Sequence, residues 1–138
     1  MSQARVVAIL IGSLRKESWT RKLAHALTRL APPHLTFRFV EIGDLPLYNQ
    51  DLETDAPPAA WVAFRDEVRG ADAVLFATPE YNRSVPGALK NAIDVGARPP
   101  GKSVFSKKPA AIISVSPGKF GGIAANHHLR QALVFLDM

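Results

Sequence analysis

The sequence predicts an α/β protein in which helices cover both faces of a parallel β-sheet. Short runs rich in apolar residues are typical of buried strands, and a segment with helical spacing of its apolar residues follows each run. Strict alternation of strands and helices favours parallel pairing, because a crossover helix joins one parallel strand to the next. Such sheets bind ligands beyond the carboxyl ends of their strands, where the strand order reverses.

Two strands and one helix are predicted in the first third of the chain. Residues 5–11 form a continuous apolar run and predict the first strand, and residues 35–42 predict the second. The intervening helix is predicted from apolar residues at helical spacing: Trp19, Leu23, Leu27 and Leu30. Trp19 is expected to anchor this helix in the core, and the proline pair at 32–33 ends it. Residues 43–58 are rich in Pro, Asp and Asn and predict a loop.

The rest of the chain predicts two strands and three helices. Trp61 is expected to anchor the second helix in the core, and Gly70 ends that helix. Residues 72–78 and 109–116 predict the third and fourth strands. Ser84 is the expected N-cap of the third helix, with Pro86 in its first turn. Apolar residues at helical spacing mark the last three helices: Trp61, Phe64, Val68, Val85, Leu89, Ala92, Ile93, Leu129, Leu133 and Leu136.

Composition limits the classes of function. A chain of 138 residues predicts a single domain, residues 1–138, and the absence of cysteine excludes disulfides and thiol catalysis. Neither a signal-peptide layout nor an apolar run long enough for a membrane span is present, and a cytoplasmic protein is expected. The net charge of +5 favours anionic ligands, but the basic residues form no tract, so nucleic-acid binding is not expected. No metal site is expected either, because the adjacent His127 and His128 of a helix point in different directions.

The loop after the first strand has the composition of an anion site. Gly12 allows a tight turn, three hydroxyl residues follow, and Arg15 offers a planar fork of donors suited to phosphate. Free N–H groups at the start of the next helix add partial positive charge. The loop lacks both the Gly-Lys-Ser/Thr of a phosphate-binding kinase loop and the G-x-G-x-x-G of a dinucleotide fingerprint. A simple helix cap beside a solvated Arg15 is the alternative.

The loop after the third strand is long for a plain connection and contains an aromatic residue, an amide and a carboxylate between prolines. Together with the segment "GSLRKES", the stretch "PEYNRSVPGALKNAID" resembles the NAD(P)H-dependent FMN reductase family, in particular its quinone and chromate reductase branch. The later segments "SPGKFGG" and "HHLRQALVFLD" are also similar to that family, so the resemblance covers nearly the whole chain. The fold it implies is a flavodoxin-like three-layer sandwich with sheet order 2-1-3-4.

The resemblance implies a site for FMN made by three loops. Ser13, Arg15, Ser18 and Thr20 would hold the phosphate, with Leu14, Lys16, Glu17 and Trp19 as backbone or wall contacts. Pro79, Glu80, Tyr81 and Asn82 would border the isoalloxazine ring, and Ser116, Pro117 or Gly118 would approach its far edge. Glu80 is expected to have a structural role, since hydride transfer through flavin requires no protein base. Arg83 stands where a second aromatic residue is common in the family.

The activity implied is a ping-pong oxidoreduction in which the bound cofactor carries the chemistry. NADPH or NADH would give hydride to FMN, and a quinone, azo dye, free flavin or metal oxyanion would then take the electrons. A homodimer or homotetramer is implied as well. Two other functions stay open: an electron carrier that binds FMN without reacting with NAD(P)H, and a truncated interaction module without flavin.

The family continues beyond the last segment of resemblance to a fifth strand, whereas this sequence ends at Met138. The fourth strand would then have an unpaired edge, which proteins generally protect. We therefore expect that edge to be covered by a partner chain, by the tail of this chain folded back, or by residues missing from this sequence.

Overall fold

A computed structural model of the protein describes residues 3–138. Four parallel strands form its sheet. The strands are β1 (Arg5–Ile11), β2 (Leu35–Val40), β3 (Ala73–Thr78) and β4 (Ala110–Ser114). They lie in the order β2-β1-β3-β4, and every neighbouring pair is parallel. This confirms the predicted fold class and strand order. The strand order reverses between β1 and β3, so the ends of these two strands are the place where such a sheet binds its ligand.

Four α-helices cover the two faces of the sheet: α1 (Trp19–Leu30), α2 (Ala59–Arg69), α3 (Gly87–Gly96) and α4 (Ile123–Phe135). Helices α2, α3 and α4 pack on one face and form the larger core, in which Trp61, Phe76 and Leu129 are fully buried. Helix α1 packs on the other face, where Ala24 meets a smaller cluster that includes Ile9. The result is a three-layer arrangement with the sheet in the middle.

The face that α1 turns to the sheet is made of small residues. Thr20 and Ala24 are its buried residues, whereas Trp19 is 64% exposed and Leu30 is 82% exposed. The expectation that Trp19 anchors the helix in the core is therefore wrong. Small side chains allow α1 to lie close to β1 and β3, and the larger residues of the stripe fall outside that contact. Trp61 of α2, in contrast, is buried as predicted.

A long loop, residues 41–58, is tied to the core by side chains of α2 and α3. The amide of Asn91 accepts a hydrogen bond from the Tyr48 N–H at 2.8 Å and donates to the carbonyl oxygens of Leu45 and Pro46. The indole N–H of Trp61 donates to the Pro46 carbonyl at 2.9 Å. These bonds fix a segment without regular structure against the helices, apart from one short 3₁₀ turn at Gln50–Leu52.

Strand β4 is one of the two edge strands of the sheet, and the described chain does not cover its outer side. Ala110 and Ala111 are exposed. The tail turns towards the loop before β4 instead, where the Lys107 N–H donates to the Asp137 carbonyl at 2.7 Å, and Met138 packs against the larger core. Coverage of the edge by the folded-back tail, one of the three expected arrangements, is therefore not what this structure has.

Candidate functional site

Three loops meet at the carboxyl edge of the sheet, after β1, β3 and β4. The Gly12 N–H, just after β1, donates to the carbonyl of Ala77 at 2.8 Å, and the Val115 N–H donates to that of Thr78 at 3.2 Å. The parallel register thus continues past the strand ends and places the three loops side by side. Together with Trp19 and Thr20 at the start of α1, they contain all of the predicted site residues. We call them the first loop (12–18), the ring loop (79–84) and the third loop (115–122).

Gly12 lies where the first loop comes close to the ring loop and to α3. A Cβ atom at this position would lie 3.1 Å from Cδ2 of Leu89 and 3.2 Å from Cδ of Pro79, closer than most real contacts of a Cβ. Gly12 does not adopt a positive φ. The chain bends at Gly12, as the expected turn requires, and the glycine also allows the first loop to approach Pro79 and Leu89 closely.

The hydroxyl residues of the first loop and the start of α1 are buried, whereas the charged side chains of the loop are exposed. Ser13, Ser18 and Thr20 are buried, with 2–3% of their surface exposed. Ser18 caps α1, since its Oγ accepts a hydrogen bond from the Arg21 N–H at 3.0 Å. The other predicted residues of this segment are exposed: Leu14, Arg15, Lys16, Glu17 and Trp19. The structure thus has both features of the simple alternative, a serine cap and a solvated Arg15.

The first loop nevertheless offers donors that the protein does not use. Within residues 3–138, the hydroxyls of Ser13 and Thr20 make no hydrogen bond, and neither do the backbone N–H groups of residues 13–17. No polar side-chain atom in that part of the chain is both fully buried and unbonded, so the two hydroxyls reach the surface. Donors gathered at a helix N-terminus are suited to an anion, and they fit the phosphate of FMN.

The ring loop is a tight turn with an unusual backbone. The N–H of Tyr81 donates to the carbonyl of Ser84 at 3.1 Å, and the reverse bond is 3.0 Å. Asn82 and Arg83 between them have φ of 51° and 63°, the left-handed region that is uncommon for residues other than glycine. Tyr81 is 46% exposed, so its ring is available as a wall rather than packed in the core.

Side chains of the ring loop contact α4 and the third loop. Oε2 of Glu80 accepts hydrogen bonds from the N–H groups of Ala124 and Ala125, at 2.8 and 3.2 Å. Oγ of Ser84 lies 2.9 Å from Nδ1 of His128, and no side chain caps α3, which begins after Pro86. The predicted N-cap role of Ser84 is wrong, because its hydroxyl is bonded to α4 instead.

The third loop contains two glycines in a backbone conformation that other residues rarely adopt. Gly121 and Gly122 have positive φ, and a Cβ on Gly122 would lie 3.1 Å from Cβ of Ser114. Ser116 donates from its hydroxyl to the Gly118 carbonyl at 3.3 Å, while Pro117 and Gly118 are exposed. The predicted residues of this loop therefore lie beside the ring loop at the sheet edge.

Sequence reasoning missed Phe120, which belongs to the same surface. Its ring is 72% exposed and lies 5.8 Å from the Arg83 guanidinium, a cation–π contact between the third loop and the ring loop. An aromatic residue inside a glycine-rich loop is the signal that could have found it. With Tyr81, it gives the site two exposed aromatic rings on neighbouring loops.

Residues 3–138 contain neither a candidate metal site nor a candidate membrane span. No group of three or more His, Cys, Asp or Glu side chains in this range lies close enough together to hold a metal ion. None of the helices there combines the length and the apolar character needed to span a membrane.

The sheet order, the helices on both faces and the three loops at the carboxyl edge define a flavodoxin-like α/β protein. The chain belongs to the NADPH-dependent FMN reductase family, whose model matches residues 4–138. The family uses FMN, with NAD(P)H as the electron donor. This confirms the resemblance and the cofactors it implied.

Relatives and solved structures agree with this assignment. The chain is 66% identical over 138 residues to a quinone reductase of Pseudomonas putida and spans 74% of that protein. It is 50% identical over 132 residues to a 2-hydroxy-1,4-benzoquinone reductase of a Burkholderia species, covering 96% of this chain and 72% of the relative. The structure of FerB, a flavoenzyme NAD(P)H:(acceptor) oxidoreductase of Paracoccus denitrificans, superposes with a TM-score of 0.91 at 46% identity, covering 96% of this chain and 72% of FerB.

Proposed function

We propose that this protein binds FMN and uses NADPH or NADH to reduce quinones. The observation that carries the proposal is the match of residues 4–138 to the reductase family, because this range contains all three loops at the sheet edge. The similarity to quinone reductases supports the class of acceptor. Free flavin, azo compounds and metal oxyanions are further acceptors that we include in the proposal. Residues 1–138 form one FMN-binding domain in this proposal.

The first loop and the start of α1 would hold the phosphate through the free hydroxyls of Ser13 and Thr20, the backbone N–H groups and the Arg15 guanidinium. Ser18 would act through its cap of α1, which fixes the donors at the helix start. Tyr81 would cover one face of the ring, and the ends of β3 and β4 would exclude water from its edge. When bound, FMN supplies the two-electron chemistry, so no protein side chain is assigned as acid or base.

The test is the visible absorbance of purified protein that has been reconstituted with FMN and desalted, before and after anaerobic NADPH. Retained yellow colour that NADPH bleaches, followed by recovery on addition of benzoquinone, is the expected result. A yellow protein that dithionite bleaches and NADPH does not would make it an electron carrier. A colourless protein would show that this chain does not hold flavin, and the proposal would fail.

Self-association belongs to the proposal as well, as a homodimer or homotetramer. Its support is the apolar end of α4, where Val134 and Phe135 are 75% and 83% exposed. Phe135 borders a hollow of about 340 Å³ whose lining includes Ile93 and Ala97. Light scattering over a range of concentrations measures the assembly, and a constant monomer mass would contradict it.

A cytoplasmic location is the last part of the proposed function, and cell fractionation tests it.

A further inference from the structure

The carboxylate of Glu80 joins two of the three loops at the site. One oxygen accepts N–H bonds from Ala124 and Ala125, in the first turn of α4, at 2.8 and 3.2 Å. The other oxygen faces the Arg83 guanidinium at 3.4 Å, and the Glu80 side chain is only 12% exposed. Both oxygens of a nearly buried carboxylate therefore have partners within the protein.

Helix α4 needs this carboxylate because it lacks a capping side chain of its own. Its N-cap is Gly122, and the first N–H groups of any helix have no partner within the helix. A carboxylate there also interacts favourably with the partial positive charge of the helix N-terminus. Glu80 thus does for α4 what a serine or aspartate at the N-cap usually does, but from a position 44 residues earlier in the chain.

A second contact holds the other end of the ring loop to the same helix. Ser84 Oγ lies 2.9 Å from Nδ1 of His128, one turn further along α4 than Ala124. Between Glu80 and Ser84 the loop is closed by the two backbone bonds that join Tyr81 and Ser84. The turn is thus bonded to α4 at both ends, and the third loop leads directly into α4.

We propose that Glu80 is a positioning residue, which sets the spacing between the ring loop and the third loop before the cofactor binds. This rests on the proposed function, in which the ring of FMN lies against both loops. A fixed spacing means that binding FMN does not have to order the loops, and pre-ordered sites bind more tightly. Removal of Glu80 should therefore weaken FMN even though both carboxylate oxygens have their partners within the protein.

The test compares Glu80→Ala and Glu80→Gln with Glu53→Ala in the full chain. Glu53 is the matched control: its side chain is also 12% exposed, and it pairs with Arg65 of α2, which lies outside the three loops. We expect Glu80→Ala to raise the FMN dissociation constant about tenfold and to change the visible spectrum of protein saturated with FMN. Glu80→Gln keeps an acceptor oxygen and should restore most of the affinity. Glu53→Ala should lower the midpoint of urea unfolding without changing either flavin readout.

The idea is overturned if Glu80→Ala binds FMN with unchanged affinity and spectrum, or if Glu53→Ala weakens FMN equally. Hydrogen exchange of flavin-free protein separates this failure from that of the proposed function. Glu80→Ala should speed exchange in both residues 79–84 and residues 115–125, whereas Glu53→Ala should not. If the wild type binds no FMN, the proposed function fails, and the exchange result alone decides whether Glu80 couples the two loops.

Discussion

At the scale of single residues, the sharpest prediction concerns Arg15. Its side chain is exposed above the unused donors of the first loop, so it is free to reach a phosphate. A hydrogen bond to a charged group contributes roughly 1.5–3 kcal/mol. We therefore expect Arg15→Ala to weaken FMN by about ten- to a hundredfold, because each 1.4 kcal/mol is about a factor of ten in affinity. Fluorescence titration of FMN measures this.

Arg29→Ala is the matched control for Arg15→Ala. Arg29 is also an exposed arginine of the same region, but it lies in the last turn of α1, at the opposite end of the helix from the first loop. Its removal changes the net charge equally and should leave FMN affinity within about twofold of the wild type, since separated surface charges are screened. Equal losses in the two variants would mean that Arg15 acts only through net charge.

Asp72 predicts how stability depends on pH. The backbone N–H of Val6, at 2.8 Å, and then the Arg5 guanidinium, at 3.0 Å, lower the pKa of Asp72 below its ordinary value of 3.8. A lowered pKa in the folded state means that the stabilisation is complete above the unfolded value and is lost as pH falls through the folded value. We expect Asp72→Asn to be less stable than the wild type near neutral pH, with a difference that shrinks below about pH 4.

Urea unfolding at a series of pH values measures the effect of Asp72→Asn. The control is Asp55→Asn, which removes the same charge from an exposed residue that forms no ion pair among residues 3–138. This variant should show a nearly constant difference from the wild type over the same range. A difference for Asp72→Asn that persists unchanged into acid would show that its ionised form does not stabilise the fold.

The residue types at the site were predictable from the sequence, but which side chains are buried and what they contact was not. Hydroxyls, a guanidinium and a helix start in one loop indicate an anion site whatever the exact geometry. The side on which Trp19 lies depends on which face of α1 meets the sheet, and the small Thr20 and Ala24 decide that. Helical spacing alone placed Trp19 in the core, where its size would have kept α1 away from β1 and β3.

At the scale of elements, α3 makes a prediction about packing. The last residue of this helix, Gly96, lies against the Phe105 ring, and an added Cβ would be 2.5 Å from Cε2 of that ring. Phe105 is fully buried. Overpacking of this kind costs about 1–3 kcal/mol, so Gly96→Ala should lower the free energy of unfolding by that amount.

The control for Gly96→Ala lies in the same helix. Gly87 is the first residue of α3, and an added Cβ would have no atom within 4 Å. Gly87→Ala should be neutral or stabilising, by no more than about 1 kcal/mol, since alanine favours the helix. Chemical denaturation measures both variants. Similar destabilisation by the two would show that a helical glycine, and not the Phe105 contact, determines the result.

Strands were predicted better than the contacts between elements. The first strand has the predicted bounds, and the others end within a few residues of them, because apolar runs are set by burial in the sheet. The bonds from Glu80 and Ser84 to α4 join residues 44 apart in sequence, and no local pattern reports them. A serine shortly before a helix is a reasonable N-cap candidate, but in the folded chain the Ser84 hydroxyl is bonded to His128 of α4.

At the scale of the whole molecule, the two faces of the sheet are covered by different numbers of helices. Helices α2, α3 and α4 cover one face, while α1 alone packs on the other, towards β1 and β3. Independently of the faces, the outer strand β4 has an exposed edge, with Ala110 and Ala111 accessible. The resemblance to a longer family indicated this edge from the sequence, but only the fold shows where the tail goes.

The open edge predicts alternating hydrogen exchange along β4. The bonds from Val74 N–H to the Pro109 carbonyl and from Val115 N–H to the Thr78 carbonyl fix the parallel ladder. In such a ladder alternate residues point their N–H groups to the neighbouring strand, so those of Ala111 and Ile113 face β3. The N–H groups of Ala110 and Ile112 face outwards and should exchange much faster than those of Ala111 and Ile113.

Residue-resolved exchange measured by NMR at low and high protein concentration decides what happens at this edge. An alternating pattern at low concentration would confirm that β4 is unpaired in a single chain. Protection of Ile112 that grows with concentration would mean that a second copy pairs with β4, since unpaired strand edges favour such association. Slow exchange of all four amides at every concentration would contradict the open edge, because a backbone N–H that points into water has nothing to protect it.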